Sequence, residues 1–276
     1  MPSEPVLRRY GVLQQEVAST AFDRAVERLR LLGYAIIDGG YDRERLGQLS
    51  EAFEGARAKA EIRSGGRELL ERIDEHNTIR LPLFYDGIFL DLATNPVVLE
   101  VCRRLIPGYF ILNQQNGVIN PAHEAPYNQG AWHRDLPYQH FVSTRPLAIN
   151  ALFCLDEFTL DNGATMVIPA SHRQEAFPSD ETVSQTAVTV TAPAGAFVVL
   201  DCMTYHCGGV NRTAQPRRSV NQVYSVPLLR QQIDLPVALG EEFSDDRDIR
   251  RLLGYEVRVP GSIEEYLKTR QRRELR

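Results

Sequence analysis

The chain has 276 residues, 43% hydrophobic and 24% charged, with a net charge of -5. That length can bury one sizeable core, and mild acidity without a long basic run gives nucleic-acid binding no support. No apolar run reaches the roughly 18 residues of a membrane span.

The opening Met1-Pro2-Ser3-Glu4-Pro5 lacks the basic-then-apolar pattern of a secretory signal. Cys102, Cys154, Cys202 and Cys207 form no CxxC pair and read as reduced, packed thiols of a cytoplasmic protein.

Residues 1–18 read as an irregular lead-in. Thr20 begins a helical pattern, with Phe22, Val26, Leu29 and the Leu31-Leu32 pair on one face, Asp23 as its N-terminal partner and Gly33 at its end. Tyr34-Ala35-Ile36-Ile37 is a short strand. A second helix is expected from about Asp42 to Lys59, broken at Ser64-Gly65-Gly66, and a further helical piece over Arg67–Ile73. His76 to Pro82 reads as extended. Residues 86–105 read as one or two helices divided at Asn95-Pro96, because proline disfavours helix at the residue before it.

After Pro107-Gly108 the helical period disappears. Short β-rich runs follow at 109–120, 131–135, 145–156, 164–169, 186–191, 195–201 and 218–227, separated by Pro, Gly, Asn and Asp. This spacing argues for a sandwich or barrel rather than alternating βαβ units. The expected architecture is one domain over 1–276: a mostly β jelly roll (double-stranded β-helix) at about 109–230, a packed helical layer at about 19–106, and a helical segment at about 241–271. Residues near 60–80 and 172–186 are candidate lids.

His133 and Asp135 flank Arg134 in an extended setting, so their side chains point to one side. One more imidazole would complete a 2-His-1-carboxylate face of the kind that holds non-heme Fe(II) with positions left open. His206 stands apart from the other histidines. It follows the apolar run Ala196–Leu200 and precedes Gly208-Gly209, which puts it at the end of a core strand. Eleven residues on, Arg217 and Ser219 share a face of another β run. A guanidinium fork with a hydroxyl beside it suits the distal carboxylate of a 2-oxo acid.

These elements together resemble the phytanoyl-CoA dioxygenase family. The resemblance is carried by Trp132-His133-Arg134-Asp135, by Asn162-Gly163 through Pro169-Ala170-Ser171-His172, and by His206-x-Gly208-Gly209-x-Asn211 with Arg217, over roughly residues 30–230. Ala170 departs from the family's usual glycine. The resemblance implies an Fe(II)- and 2-oxoglutarate-dependent oxygenase consuming O2, with His133, Asp135 and His206 on the iron and Arg217 and Ser219 on 2-oxoglutarate. It also places an amide from the strand before His133 near the co-substrate. Asn116 is the first choice and Gln114 the reserve.

Asp135 sets the chain apart from related halogenases, which have a small residue there, and favours hydroxylation. Arg80, Asn120, Tyr138 and His140 are candidate contacts for a small, polar or sugar-derived substrate, and Arg134 is expected to be structural. A desaturase or cyclase on the same site, a zinc hydrolase and a non-catalytic jelly-roll sensor are the competing readings. The zinc reading lacks a Glu beside His133 or His206 to serve as base and leaves Arg217 without a purpose. The oligomeric state is left open.

Overall fold

The computed structural model describes residues 8–136 and 141–274. Its elements follow from local chemistry. Helix α1 (Ala21–Leu32) opens with a reciprocal cap: Thr20 Oγ1 accepts the Asp23 N–H, and Asp23 accepts the Thr20 N–H. It stops at Gly33, whose φ of 80° is left-handed and whose N–H bonds Leu29. Strand β1 (Tyr34–Asp38) follows, then α2 (Arg43–Arg63) capped by Asp42, α3 (Arg67–Arg72), β2 (Thr78–Arg80), α4 (Phe89–Ala93) and α5 (Pro96–Leu105). Asn95 caps α5, and Pro96 occupies a first-turn position where no N–H is required.

The β region comprises β3 (Ile111–Asn120), β4 (Ala148–Cys154), β5 (Thr165–Val167), β6 (Val188–Thr189), β7 (Ala196–Asp201), β8 (His206–Gly208) and β9 (Arg217–Ser225). The larger sheet has the order β1-β7-β4-β9-β3-β2, and the smaller has β6-β5-β8. Every pairing is antiparallel. This is the expected jelly roll with helices packed on it.

Alternation along β7 builds both layers. Phe197 and Val199 face Leu29, Phe53 and Val101 of the helical layer. Val198 and Leu200 face Leu152, Ala164 and Val167 between the sheets. Each such fully buried side chain contributes about 1.5–3 kcal/mol.

Several expectations are corrected. The run 131–135 is no strand of either sheet; it touches the small sheet through a single antiparallel bridge, His133 to His206. The run 186–191 shrinks to β6, preceded by an unforeseen helix α6 (Asp180–Thr186) capped by Ser179. The C-terminal segment is broken. After α7 (Leu235–Leu239) come α8 (Arg247–Leu252), a 3-10 turn at Tyr255–Val257, and α9 (Ile263–Glu274) beyond Pro260-Gly261. Ala170 adopts a left-handed φ of 62°, a conformation that accounts for glycine being usual at such a position.

Candidate active site

Two backbone bonds fix the candidate ligands against each other. The N–H of His133 donates to the His206 carbonyl at 2.9 Å, and the reverse bond spans 3.0 Å. Asp135 N–H donates to the Cys202 carbonyl at 3.1 Å, turning its carboxylate toward both rings. One ligand atom from each of His133, Asp135 and His206 lies within 4.8 Å of the others. Asp135 Oδ1 is 3.6 Å from His206 Nε2 and 4.0 Å from His133 Nε2.

The tautomers are set from behind. His133 Nδ1 faces the Ala131 carbonyl at 2.8 Å, and His206 Nδ1 faces the Thr204 carbonyl at 3.0 Å. Donating there leaves each Nε2 lone pair free toward the common point. Burial lowers the pKa of His206, against the opposing charge of Asp135, and so favours the neutral, metal-binding imidazole. Asn150 Nδ2 donates to Asp135 Oδ2 at 2.8 Å, which leaves Oδ1 facing the imidazoles. A set of two imidazoles and one carboxylate, each restrained from behind, fits a divalent iron with open positions.

A narrow cavity leads from His206 along β9 and is lined by Tyr127, Thr165, Cys207, Arg217, Ser219 and Asn221. Arg217 is 3% exposed, and its guanidinium lies 3.9 Å from the Phe158 ring centre. Its Nε and Nη1 are buried without a hydrogen-bond partner. Two unpaired donors of a buried guanidinium are costly unless an anion meets them, so the cavity fits the carboxylate of a 2-oxo acid. Burial lowers the Arg217 pKa, which still leaves it charged at neutral pH.

A second cavity of about 180 Å³ is lined in part by His133 and Asp135. Arg80, Gln114, Asn116, Gln129 and Gln232 line it. Arg80 donates to Glu75 at 2.9 Å and to Gln232 Oε1 at 3.2 Å, and the Asn116 amide, oriented to satisfy its neighbours, donates to Gln232 Oε1 at 3.2 Å and accepts from Arg80 at 3.3 Å.

The sequence-predicted residues therefore divide into groups. His133, Asp135, His206, Arg217 and Ser219 come together. Gln114 and Asn116 share the expected face of β3 but line the second cavity and not the one with Arg217. Alternation gives the face of a strand but not the depth along it. At about 3.3 Å per residue, two residues from Val118 is already a different compartment.

Arg80 stands in the second cavity as a candidate substrate contact. Asn120 does not. It is 1% exposed and donates to the carbonyls of Gly163 and Gly209 at 3.0 and 2.9 Å, tying β3 to two loops. Tyr138 and His140 lie outside the described residues. Arg134, expected to be structural, is 2% exposed and donates to the Glu175 and Ser171 carbonyls, with its guanidinium over Tyr205, and it also contributes to the lining of the second cavity.

Sequence reasoning missed Asn150, although one amide inside the apolar run Ala148–Cys154 was a readable signal. It also missed Asn221, which continues the Arg217 and Ser219 alternation. Tyr127 and Gln232 sit on loops and carried no signal.

A family model described as phytanoyl-CoA dioxygenase matches residues 29–219. The chain belongs to the phytanoyl-CoA dioxygenase family. It is an Fe(II)- and 2-oxoglutarate-dependent dioxygenase. The uncharacterized protein Rv1501 of Mycobacterium tuberculosis is 30% identical over 92% of this chain and 94% of its own. Dioxygenase af480 of Aspergillus fumigatus is 27% identical over 68% of this chain and 62% of its own.

Among solved structures, EctD from S. alaskensis with 2-oxoglutarate and 5-hydroxyectoine superposes with a TM-score of 0.63 at 22% identity. The match covers 79% of this chain and 80% of that one. The epimerase SnoN with Fe3+, alpha ketoglutarate and nogalamycin RO gives 0.55 at 21% identity, over 77% and 88% of the two chains. At these identities the structural likeness concerns the fold.

Proposed function

We propose that this enzyme hydroxylates an unactivated C–H bond of a small polar or sugar-derived metabolite, releasing succinate and CO2, as one domain spanning 1–276. The observation that carries the reading is the arrangement around His133 and Asp135. A buried guanidinium with unmet donors lines one cavity that reaches His133, and carboxamides line a second that reaches His133 and Asp135. Fe(II), 2-oxoglutarate and O2 are the cofactor and co-substrates, and together they supply the oxidising power as 2-oxoglutarate is decarboxylated to succinate.

The chain's own residues hold and orient. His133, Asp135 and His206 would hold the iron. Asn150 would fix which Asp135 oxygen faces it, and Arg217 with Ser219 would hold the distal carboxylate. The presence of a carboxylate at 135 favours hydroxylation over halogenation.

The substrate class follows from the second cavity. Val118 is the one aliphatic side chain among the described residues lining it. Glu75 pairs with Arg80, and Gln114, Asn116, Gln129 and Gln232 add carboxamide hydrogen-bonding groups to the wall. Such a wall suits hydroxyl or amide groups and leaves an acyl chain without apolar contact. All four cysteines are free and buried, which supports a reducing, cytoplasmic setting.

The test is succinate release from 2-oxoglutarate, screened for stimulation by fractionated small polar metabolites, with the stimulated product identified. A desaturated or ring-closed product would replace hydroxylation on the same site. Arg217→Ala is expected to raise the 2-oxoglutarate KM a hundredfold or more, and normal consumption by it would sink the co-substrate assignment. Asp135→Ala with full iron-dependent turnover would sink the ligand assignment.

A further inference from the structure

Tyr127 lines the narrow cavity together with Arg217. It lies on the loop after β3, just before the 3-10 turn Asn128–Gly130. Arg217 is near enough for its charge to oppose the effect of burial on the phenol. It also rests against β8, where a Cβ on Gly208 would come within 1.6 Å of Tyr127 Oη. Gly208 is not among the residues with left-handed backbone, so its conformation does not require glycine. The phenol does: any side chain there would displace it.

Donor accounting then points outward. A guanidinium has only donors, so the Tyr127 O–H cannot donate to Arg217. The phenol O–H is left to donate elsewhere. Burial raises the Tyr127 pKa, which keeps that proton in place at neutral pH. The Nε–H and Nη1–H of Arg217 are the other unpaired donors in this cavity, and a carboxylate offers about four acceptor positions.

We infer that Tyr127 is a co-substrate-binding residue whose O–H donates to the distal carboxylate of 2-oxoglutarate beside the Arg217 fork, and whose ring sets the length of diacid the cavity accepts. This rests on the reading of His133, Asp135, His206 and Arg217 as the iron and 2-oxoglutarate site.

The test is anaerobic titration of the Fe(II)-loaded enzyme with 2-oxo acids, followed by the visible absorption of the metal chelate. No turnover is needed. Tyr127→Phe is expected to weaken 2-oxoglutarate binding at least tenfold, as loss of a hydrogen bond to a charged group does. Binding of 2-oxobutyrate, which has no distal carboxylate, should stay within twofold of wild type. Tyr127→Ala removes the wall and is expected to shift preference toward 2-oxoadipate, one methylene longer. Gly208→Ala is expected to reproduce the Tyr127→Phe loss, with little added in the double variant.

If Tyr127→Phe binds 2-oxoglutarate as well as wild type, or more tightly, the inference is overturned. An equal loss for 2-oxobutyrate overturns it too, since the effect would then lie at the metal. If wild type itself forms no chelate, the site reading fails instead.

Discussion

Asn150→Ala probes how the carboxylate ligand is held. Asn150 is 1% exposed and donates to Asp135 Oδ2 at 2.8 Å. The other oxygen, Oδ1, is the one near both imidazoles. The amide therefore engages one oxygen and presents the second. Its removal strips a charge-strengthened hydrogen bond from a nearly buried carboxylate, about 1.5–3 kcal/mol. It also frees Asp135 to rotate and offer either oxygen. The free enzyme loses the same bond, so thermal stability falls as well and does not discriminate. Metal affinity does. Loss of a partner behind a ligand typically weakens metal binding about 10–100-fold, and because the free state is destabilised too, the lower end is expected here. Anaerobic calorimetric titration of the folded variant with Fe(II), or with Co(II) as a redox-stable substitute, measures it directly. An affinity within twofold of wild type would refute the assignment of Asn150 as a positioning residue.

Asn120→Ala separates a loop clamp from a substrate contact: it is expected to lose about 2–3 kcal/mol of stability as two carbonyls go unpaired, while kcat/KM of the folded enzyme stays within about threefold. Denaturant melts and steady-state kinetics on one preparation decide between the two. Ala170→Gly relieves a left-handed φ of 62°, worth about 1–2 kcal/mol, against about 0.5–1 kcal/mol of added unfolded-chain entropy. The expected net is stabilisation by roughly 0.5–1 kcal/mol, and a fall in Tm contradicts it. Burial pushes the Asp201 carboxyl up from an ordinary 3.8 to about 6. A raised folded-state pKa means that stability present below about pH 4 is lost as pH rises through about 6, up to about 3 kcal/mol in all. Asp201→Asn cannot ionise and keeps the Met203 N–H partner. Its stability relative to wild type is therefore expected to rise from pH 4.5 to pH 8, and a flat difference across that range refutes the argument.

What the sequence made legible is what local chemistry decides. The Thr20–Asp23 cap, the Gly33 stop and the Asn95-Pro96 break were readable because each satisfies backbone groups within a few residues. Arg217 and Ser219 were readable because β alternation holds along β9. Residues decided by tertiary neighbours were not. Nothing near Tyr127 announces that its phenol meets Gly208, 81 positions later in the chain. Nothing near Gln232 announces a bond to Asn116. The C-terminal helices failed for the same reason. Leu252 and Leu253 join the core while α9 leaves Ile263, Tyr266 and Leu267 exposed, so one helical pattern could not describe both.

Asn120 and Asn116 show how much one strand can conceal. By alternation both share one face of β3 with Gln114. The larger sheet pairs Asn116 with Asn221, Val118 with Ser219 and Asn120 with Arg217. The polar face thus runs from the open carboxamide cavity, past Val118 at the boundary, to a residue sealed against two glycine carbonyls. Val118, Gln129, His133 and Asn221 line both cavities. Under the proposed function, substrate recognition falls to the side chains lining the second cavity from β2, β3 and the Gln232 loop. Changes at Arg80, Gln114, Asn116 and Gln232 should therefore alter which substrate stimulates turnover, and leave the affinity for 2-oxoglutarate alone.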